Sequence, residues 1–260
     1  MRAQGKITVT VLSATLVLAV TAVIFVAVCS RDMDGETSAV SITYDNGMLA
    51  VSTASYPADI ILCHDGNAEQ AMAYRLAKGP EQLPPVYGDG KYTAFIMDKE
   101  TYTASASCMA TASDPVGQYL KPTISMAGCF SLLPTDLGED RSLEGITKVF
   151  VDAFDYSDEP NEGAHSPYSP DVWHTRELRH GACADLSALY AAYLRSAGIP
   201  AKVVYGDRIS LNSISEAHAW TEVHVDGEWK IVDISALCWK KDCTELFADD
   251  GRYSDRYCIY

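Results

Sequence analysis

Gly181-Ala182-Cys183-Ala184-Asp185-Leu186-Ser187-Ala188-Leu189-Tyr190-Ala191-Ala192-Tyr193-Leu194-Arg195-Ser196-Ala197-Gly198-Ile199-Pro200 is the stretch on which the reading of this chain turns. Leu186, Leu189, Tyr190, Tyr193, Leu194 and Ala197 lie at offsets 0, 3, 4, 7, 8 and 11. That spacing is one face of an α-helix. Gly198 ends the helix and Pro200 prevents its resumption. Cys183 therefore falls at or near a helix N-terminus, where unpaired N–H groups and the macrodipole favour a thiolate. Asp185, two residues on, is placed to brace the first turn, and Ala201 to Tyr205 reads as a strand.

Downstream, Glu216 to Val225 is a strand-like run broken by Asp226-Gly227, a hairpin turn signal. Trp229 to Ile234 reads as the return strand and carries Asp233. His218 lies eight residues before Asp226, and Asp233 six after Gly227. The two can thus share a face of adjacent antiparallel strands, unless a bulge or slip alters the parity. A thiol at a helix start facing His and Asp on a sheet is a nucleophile, base and orienter set. Cys183, His218 and Asp233 are the candidate catalytic residues. Trp220 and Trp229 are expected to pack the sheet, and His224 to sit at the surface or pair across strands. His64, His165 and His180 have no partner pattern.

Upstream, Ser142 can cap a helix bearing Leu143, Ile146, Phe150, Ala153 and Phe154 at helical spacing. A loop rich in Asn, Gly, Ser and Pro covers 159–171, and 117–141 reads as an irregular connection. Val40, Ile42 and Tyr44 alternate with polar neighbours before the turn Asp45-Asn46-Gly47, then Leu49 and Val51 resume. Ile60-Ile61-Leu62 is a strand candidate. Gly88-Asp89-Gly90 reads as a hairpin turn leading into Tyr92, Ala94 and Ile96, and Thr101 to Cys108 as a further strand. A small β-rich domain over 40–116 is expected.

At the N-terminus, Arg2 and Lys6 precede Ile7 to Val28, which holds no charged residue, proline or glycine. A helix of about 20 residues crosses the hydrocarbon core. Residues 1–30 are expected to be a signal anchor or transmembrane segment and 31–39 a linker. The rest then lies outside the membrane of the cell, since positive charge stays inside. Cleavage after Ser30, giving a secreted protein, is the alternative, and a lipid-bearing Cys29 a weaker third. Without Arg2 and Lys6 the 20 basic residues fall to 18 against 35 acidic, and the net charge of −15 becomes −17. No basic cluster offers a face for phosphates, which excludes nucleic acid as a partner. Seven cysteines follow Cys29, an odd number. Disulfides are expected outside the cytosol, with Cys238, Cys243 and Cys258 stapling the tail and Tyr253, Tyr257 and Tyr260 covering the core. The spacing calls for neither a metal nor a cofactor.

Four blocks in order resemble the transglutaminase-like superfamily of cysteine enzymes. They are Arg179-His180-Gly181-Ala182-Cys183-Ala184-Asp185-Leu186, Leu194 to Gly206 with its Gly198-Ile199-Pro200 turn, His218-Ala219-Trp220-Thr221-Glu222-Val223 and Trp229-Lys230-Ile231-Val232-Asp233. Phe154-Asp155-Tyr156 and Tyr168-Ser169-Pro170-Asp171 look like the approach segment of exported bacterial members. The resemblance implies an α+β, papain-like core over 142–260, a nucleophile-bearing helix packed on an antiparallel sheet. It implies Cys183 as nucleophile, His218 as base and Asp233 as orienter, acting on peptide or protein amides through an acyl-thioester. One departure is Asp233-Ile234-Ser235, where the family commonly has Asp-Pro-Thr; its loss of proline is expected to loosen the turn. The Cys183 N–H is a candidate oxyanion donor. Tyr168, Trp173 and His174 are side-chain candidates for that role, though packing explains each more simply.

The expected function is an exported or membrane-anchored cysteine hydrolase or acyltransferase with protein or peptide substrates. The alternative is a non-catalytic cell-surface binding or scaffolding module that keeps the fold.

Overall fold

The computed structural model describes residues 39–76, 79–98, 101–111, 114, 116–123, 130, 136, 138–158, 170–210 and 213–258. The expected anchor at 1–30 and linker at 31–38 lie outside the described residues, as do Cys29, Cys129, His165, Tyr168 and Tyr260. Among the described residues no helix is long and apolar enough to cross a membrane.

The described residues from 40 to 110 hold only strands and turns. In chain order it holds β1 (Val40–Asp45), β2 (Met48–Thr53), β3 (Ala58–His64), β4 (Asn67–Leu76), β5 (Glu81–Leu83), β6 (Gly90–Asp98) and β7 (Thr101–Ala110). They form a three-stranded sheet ordered β1-β2-β5 and a four-stranded sheet ordered β4-β3-β6-β7. The β1–β2 turn has Asn46 at φ 50° and Gly47 at φ 78°, with Asp45 opposite Met48. Two positive φ values in a two-residue loop make the turn whose twist suits a hairpin. Asp65 and Gly66 do the same between β3 and β4, a pairing with no alternating signal in the sequence. Gly88-Asp89-Gly90 corrects an expectation. It leads from β5 to β6, which lie in different sheets, and so is a crossing turn rather than a hairpin.

The second half mixes helices and strands. It comprises α1 (Leu143–Ala153), β8 (Asp155–Tyr156), α2 (Val172–Leu178), β9 (His180–Gly181), α3 (Cys183–Ser196), β10 (Ala201–Ile209), β11 (Ser215–Val225), β12 (Glu228–Val232), α4 (Ile234–Lys240) and β13 (Tyr253–Cys258). The strand order β12-β11-β10-β13 makes an antiparallel sheet, while β8 and β9 pair in parallel. Ser142 caps α1 by accepting from the Gly145 N–H at 3.0 Å. Asp226 and Gly227 turn β11 into β12 with φ of 55° and 84°. One apolar core runs from the first sheet through α1 and α3 to the second-half sheet.

The helix α3 is buried on every side, not along one stripe. Every residue from Ala184 to Arg195 is buried. Ala188, Ala191 and Ala192 let α1, α4 and the sheet approach the faces that the leucines and tyrosines leave. Each buried leucine here adds roughly 1.5–3 kcal/mol relative to exposure. Phe150 of α1 stacks on Phe154 and meets Tyr190 and Tyr193 edge-on. Arg195 is buried, and its Nε donates to Ala201 O at 2.8 Å and its Nη1 to Lys121 O at 3.0 Å.

Among the described residues the expected disulfides are not formed. Cys63, Cys108, Cys183, Cys238, Cys243 and Cys258 are all free thiols. The staple of Cys238, Cys243 and Cys258 is therefore not formed. Cys238 lies in the core at the end of α4, while Cys258 on β13 donates to the Tyr119 hydroxyl at 3.5 Å. A free cysteine packs as a small apolar residue, and here those roles replace cross-links.

Candidate active site

Cys183 is the first residue of α3, and Gly198 follows the helix at φ 85°. The Asp185 carboxylate accepts from the Ala182 N–H at 3.0 Å, which holds the helix start as the sequence suggested. One turn into α3, Ser187 donates to Ala219 O at 3.3 Å, and Thr221 donates to Ser187 O at 3.2 Å. Ser187 lies four residues after Cys183, and Ala219 directly follows His218. These two bonds therefore fix the thiol-bearing helix against the histidine-bearing strand.

His218 is 5% exposed and Asp233 4%. Nε2 of His218 lies 3.0 Å from Oδ2 of Asp233. A carboxylate only accepts, so Nε2 carries the proton and donates. The same ring is close enough to the Cys183 thiol for each to shift the other's titration, and with Nε2 given to Asp233 the Nδ1 side is left for the sulfur. The backbone of Ala219 favours the thiolate as well. The structure thus brings Cys183, His218 and Asp233 into one cluster, with His218 hydrogen-bonded to Asp233 and electrostatically coupled to Cys183.

Asp233 is not on the return strand as expected. β12 ends at Val232, and Asp233 is the N-cap of α4, accepting from the Ala236 N–H at 3.1 Å. Ser235 donates to the same Oδ1 at 2.8 Å. The departure from Asp-Pro-Thr then has a simple account. Ile234 sits at the first helical position, where proline is tolerated but not needed. The cap and the Ser235 hydroxyl hold the Asp233 turn without it.

The charges in this cluster sustain one another. Burial pushes the Cys183 thiol up, but the His218 hydrogen bond and charge outweigh it and bring it below the ordinary thiol value. Burial pushes His218 down, but the bonds to Asp233 and Cys183 win and raise it to about 9. Burial would raise Asp233 too; bonds from His218 and Ser235 and the Arg208 charge hold it far below the usual carboxylate range. A thiolate–imidazolium pair is the state these shifts favour.

Four other side chains complete the setting, and none was singled out in the sequence as a site residue. Arg208 of β10 donates to Asp233 Oδ2 at 3.0 Å, and Tyr253 of β13 donates to the same oxygen at 2.9 Å. Ser235 is the third. Tyr156 is the fourth: β8 runs beside β9, with Tyr156 opposite Gly181 and the Ser157 N–H bonded to Gly181 O at 3.0 Å. Burial, the charge of Cys183 and a bond to Asp158 push its phenol up to about 12. Lys241 secures that approach by donating to Val151 O at 2.9 Å and Phe154 O at 2.6 Å at the end of α1. Of the side-chain oxyanion candidates, Trp173 is 38% exposed and lies under Arg176. The His174 N–H is bonded to the Asp171 cap at 3.0 Å. His224 faces Trp229 across the β11–β12 hairpin, its rings 5.1 Å apart, as a cross-strand pair.

Residues 135–234 match the family model described as the transglutaminase-like superfamily. That stretch is a transglutaminase-like domain. It holds Cys183 and His218 and ends one residue beyond Asp233. Among curated proteins none matches the chain. Similar solved structures include a candidate cysteine protease from Cytophaga hutchinsonii, 15% identical, covering 77% of this chain and 84% of that one at a TM-score of 0.40. A candidate protease from Parabacteroides distasonis is 13% identical, over 87% of this chain and 41% of that one, at a TM-score of 0.34. The transglutaminase of red sea bream is 12% identical, over 81% and 49%, at a TM-score of 0.29. In the last two cases the transglutaminase-like domain and its neighbours span under half of the similar protein.

Proposed function

We propose that this chain is an exported cysteine enzyme that cleaves or transfers the acyl part of peptide or protein amides. The observation that carries this reading is the buried His218–Asp233 hydrogen bond at 3.0 Å, coupled to the Cys183 thiol at the start of α3. The Cys183 thiolate attacks the amide carbon, forming a carbon–sulfur bond and a tetrahedral oxyanion. The Cys183 N–H, at the helix start, is the candidate donor to that developing charge. His218 gives its proton to the leaving amine or ammonia as the carbon–nitrogen bond breaks. Water or an amine then attacks the thioester and passes a proton to His218, and the carbon–sulfur bond breaks to release the Cys183 thiolate. Access of water or amine to the thioester decides between hydrolysis and transfer. The uncharged stretch Ile7 to Val28 supports tethering to the membrane with the domain outside.

Titration of the full chain with iodoacetamide, followed by peptide mapping, tests the reading. Cys183 is expected to be alkylated first among the cysteines. Preferential labelling of another cysteine, or unchanged amide turnover in Cys183→Ala, would overturn it. Incorporation of a fluorescent amine into a glutamine-bearing protein then separates transfer from hydrolysis.

A further inference from the structure

Arg208 sits at the centre of a row across the sheet. It is opposite Glu216 on β11 and opposite Tyr253 on β13. Two residues before it, Gly206 is opposite His218, so Arg208 is a diagonal neighbour of the histidine on the same face. Its Nη2 donates to Glu216 Oε2 at 3.2 Å while Nη1 donates to Asp233 Oδ2 at 3.0 Å. Nη1 also lies 3.3 Å from Nε2 of His218. Both nitrogens carry protons, so this is no hydrogen bond. It is two cationic donors converging on one carboxylate oxygen.

Two consequences have the same sign. The charge of Asp233 is divided between imidazolium and guanidinium, and the guanidinium is a like charge beside the imidazolium. Both favour release of the His218 proton. An acid that holds its proton too firmly is a poor donor to a leaving group, and efficiency peaks when its pKa nears the working pH. We propose that Arg208 is a positioning residue that loosens the His218 proton by sharing Asp233, with Glu216 drawing off part of the guanidinium's charge. The proposal rests on reading Cys183 and His218 as the reacting pair. The charged and titratable groups around His218 are Cys183 from α3, Asp233 at the head of α4, Arg208 from β10 and Glu216 from β11. Beyond them lie Tyr253 from β13, and Tyr156 from β8 with its partner Asp158.

The full-length chain, labelled with 15N-histidine, allows the His218 ring to be followed by NMR against pH, its signal identified by loss in His218→Gln. In Arg208→Gln the midpoint is expected to rise by about one pH unit, the low end of the effect of a neighbouring charge. In Arg208→Lys it returns most of the way to the native value. In Glu216→Gln, at an exposed position, it falls, because an anion is removed and the guanidinium is left to Asp233. A midpoint that stays or falls in folded Arg208→Gln overturns the proposal, as does one that stays or rises in Glu216→Gln. The second variant decides the matter if the first does not fold. The readout needs no turnover. An inert Cys183 thiol would sink the enzyme reading while leaving the His218 midpoints to judge Arg208.

Discussion

The phenol of Tyr253 donates to Asp233 at 2.9 Å, so a strand 20 residues farther along the chain closes the carboxylate's hydrogen-bond shell. Tyr253 also packs edge-on against Trp220, their rings 5.0 Å apart. Tyr253→Phe keeps that packing and removes the donor. Loss of one hydrogen bond to a charged group is expected to cost about 1.5–3 kcal/mol, read as a lower denaturant midpoint. Turnover is expected to fall by a smaller factor than in Asp233→Ala, since His218, Arg208 and Ser235 still hold the carboxylate.

Alkylation of Cys183 has a defined pH course. Its thiol is held below the ordinary value, and His218 keeps its proton up to about 9. Iodoacetamide is expected to react with Cys183 at pH 6, well below the range of a free thiol with a pKa of about 8.5. Above about 9 the imidazolium is lost and the rate passes to that of an isolated thiolate. In His218→Gln the hydrogen bond and the cation both disappear. The rate at pH 6 then drops by about tenfold or more, measured by mass spectrometry of the labelled peptide.

Asp233 links stability to pH in the opposite direction from a raised histidine. Its folded carboxyl titrates far below the unfolded value of about 3.9, because His218, Ser235 and Arg208 outweigh burial. Its stabilising contribution is therefore present above that unfolded value and is lost as pH falls through the folded one. Native protein is expected to exceed Asp233→Asn in urea stability by about 2 kcal/mol near neutral pH. The gap narrows below pH of about 4. A gap that stays constant down to pH of about 2 would contradict the assignment.

Ile234 offers a test of the helix cap. It is fully buried at the first position of α4, directly after the Asp233 cap. Proline suits that backbone position, so Ile234→Pro loses packing but no helical hydrogen bond. Its thermal midpoint is expected to match that of Ile234→Ala within a few degrees. A much larger fall for proline would show that the cap geometry differs.

The legible parts of this site lie where a local signal sets the geometry. Helical spacing and Gly198 placed Cys183 at a helix start, and Asp226-Gly227 set the register that brings Asp233 near His218. Arg208 escaped because the β10–β11 connection has no two-residue turn signature to fix which residue faces His218. Tyr253 depends on the pairing of β13 with β10, which contains a register shift between Tyr205 and Asp207 that no spacing rule foresees. The strand β4 was hidden for a different reason. Ala71, Met72 and Ala73 are strong helix formers, and pairing with β3 overrides that preference. The disulfide expectation failed because a count of cysteines carries no distances. Cys63 and Cys258 lie on strands of different sheets, and Cys238 on a helix.

The place of β13 has a consequence for how the protein comes into being. A nascent chain that has emerged only through α4 already owns Cys183, His218 and Asp233. It lacks Tyr253, and β10 still has an open edge. The carboxylate gains its last donor only when β13 docks on that edge. Full assembly of the Cys183, His218 and Asp233 cluster is thereby tied to completion of the sheet.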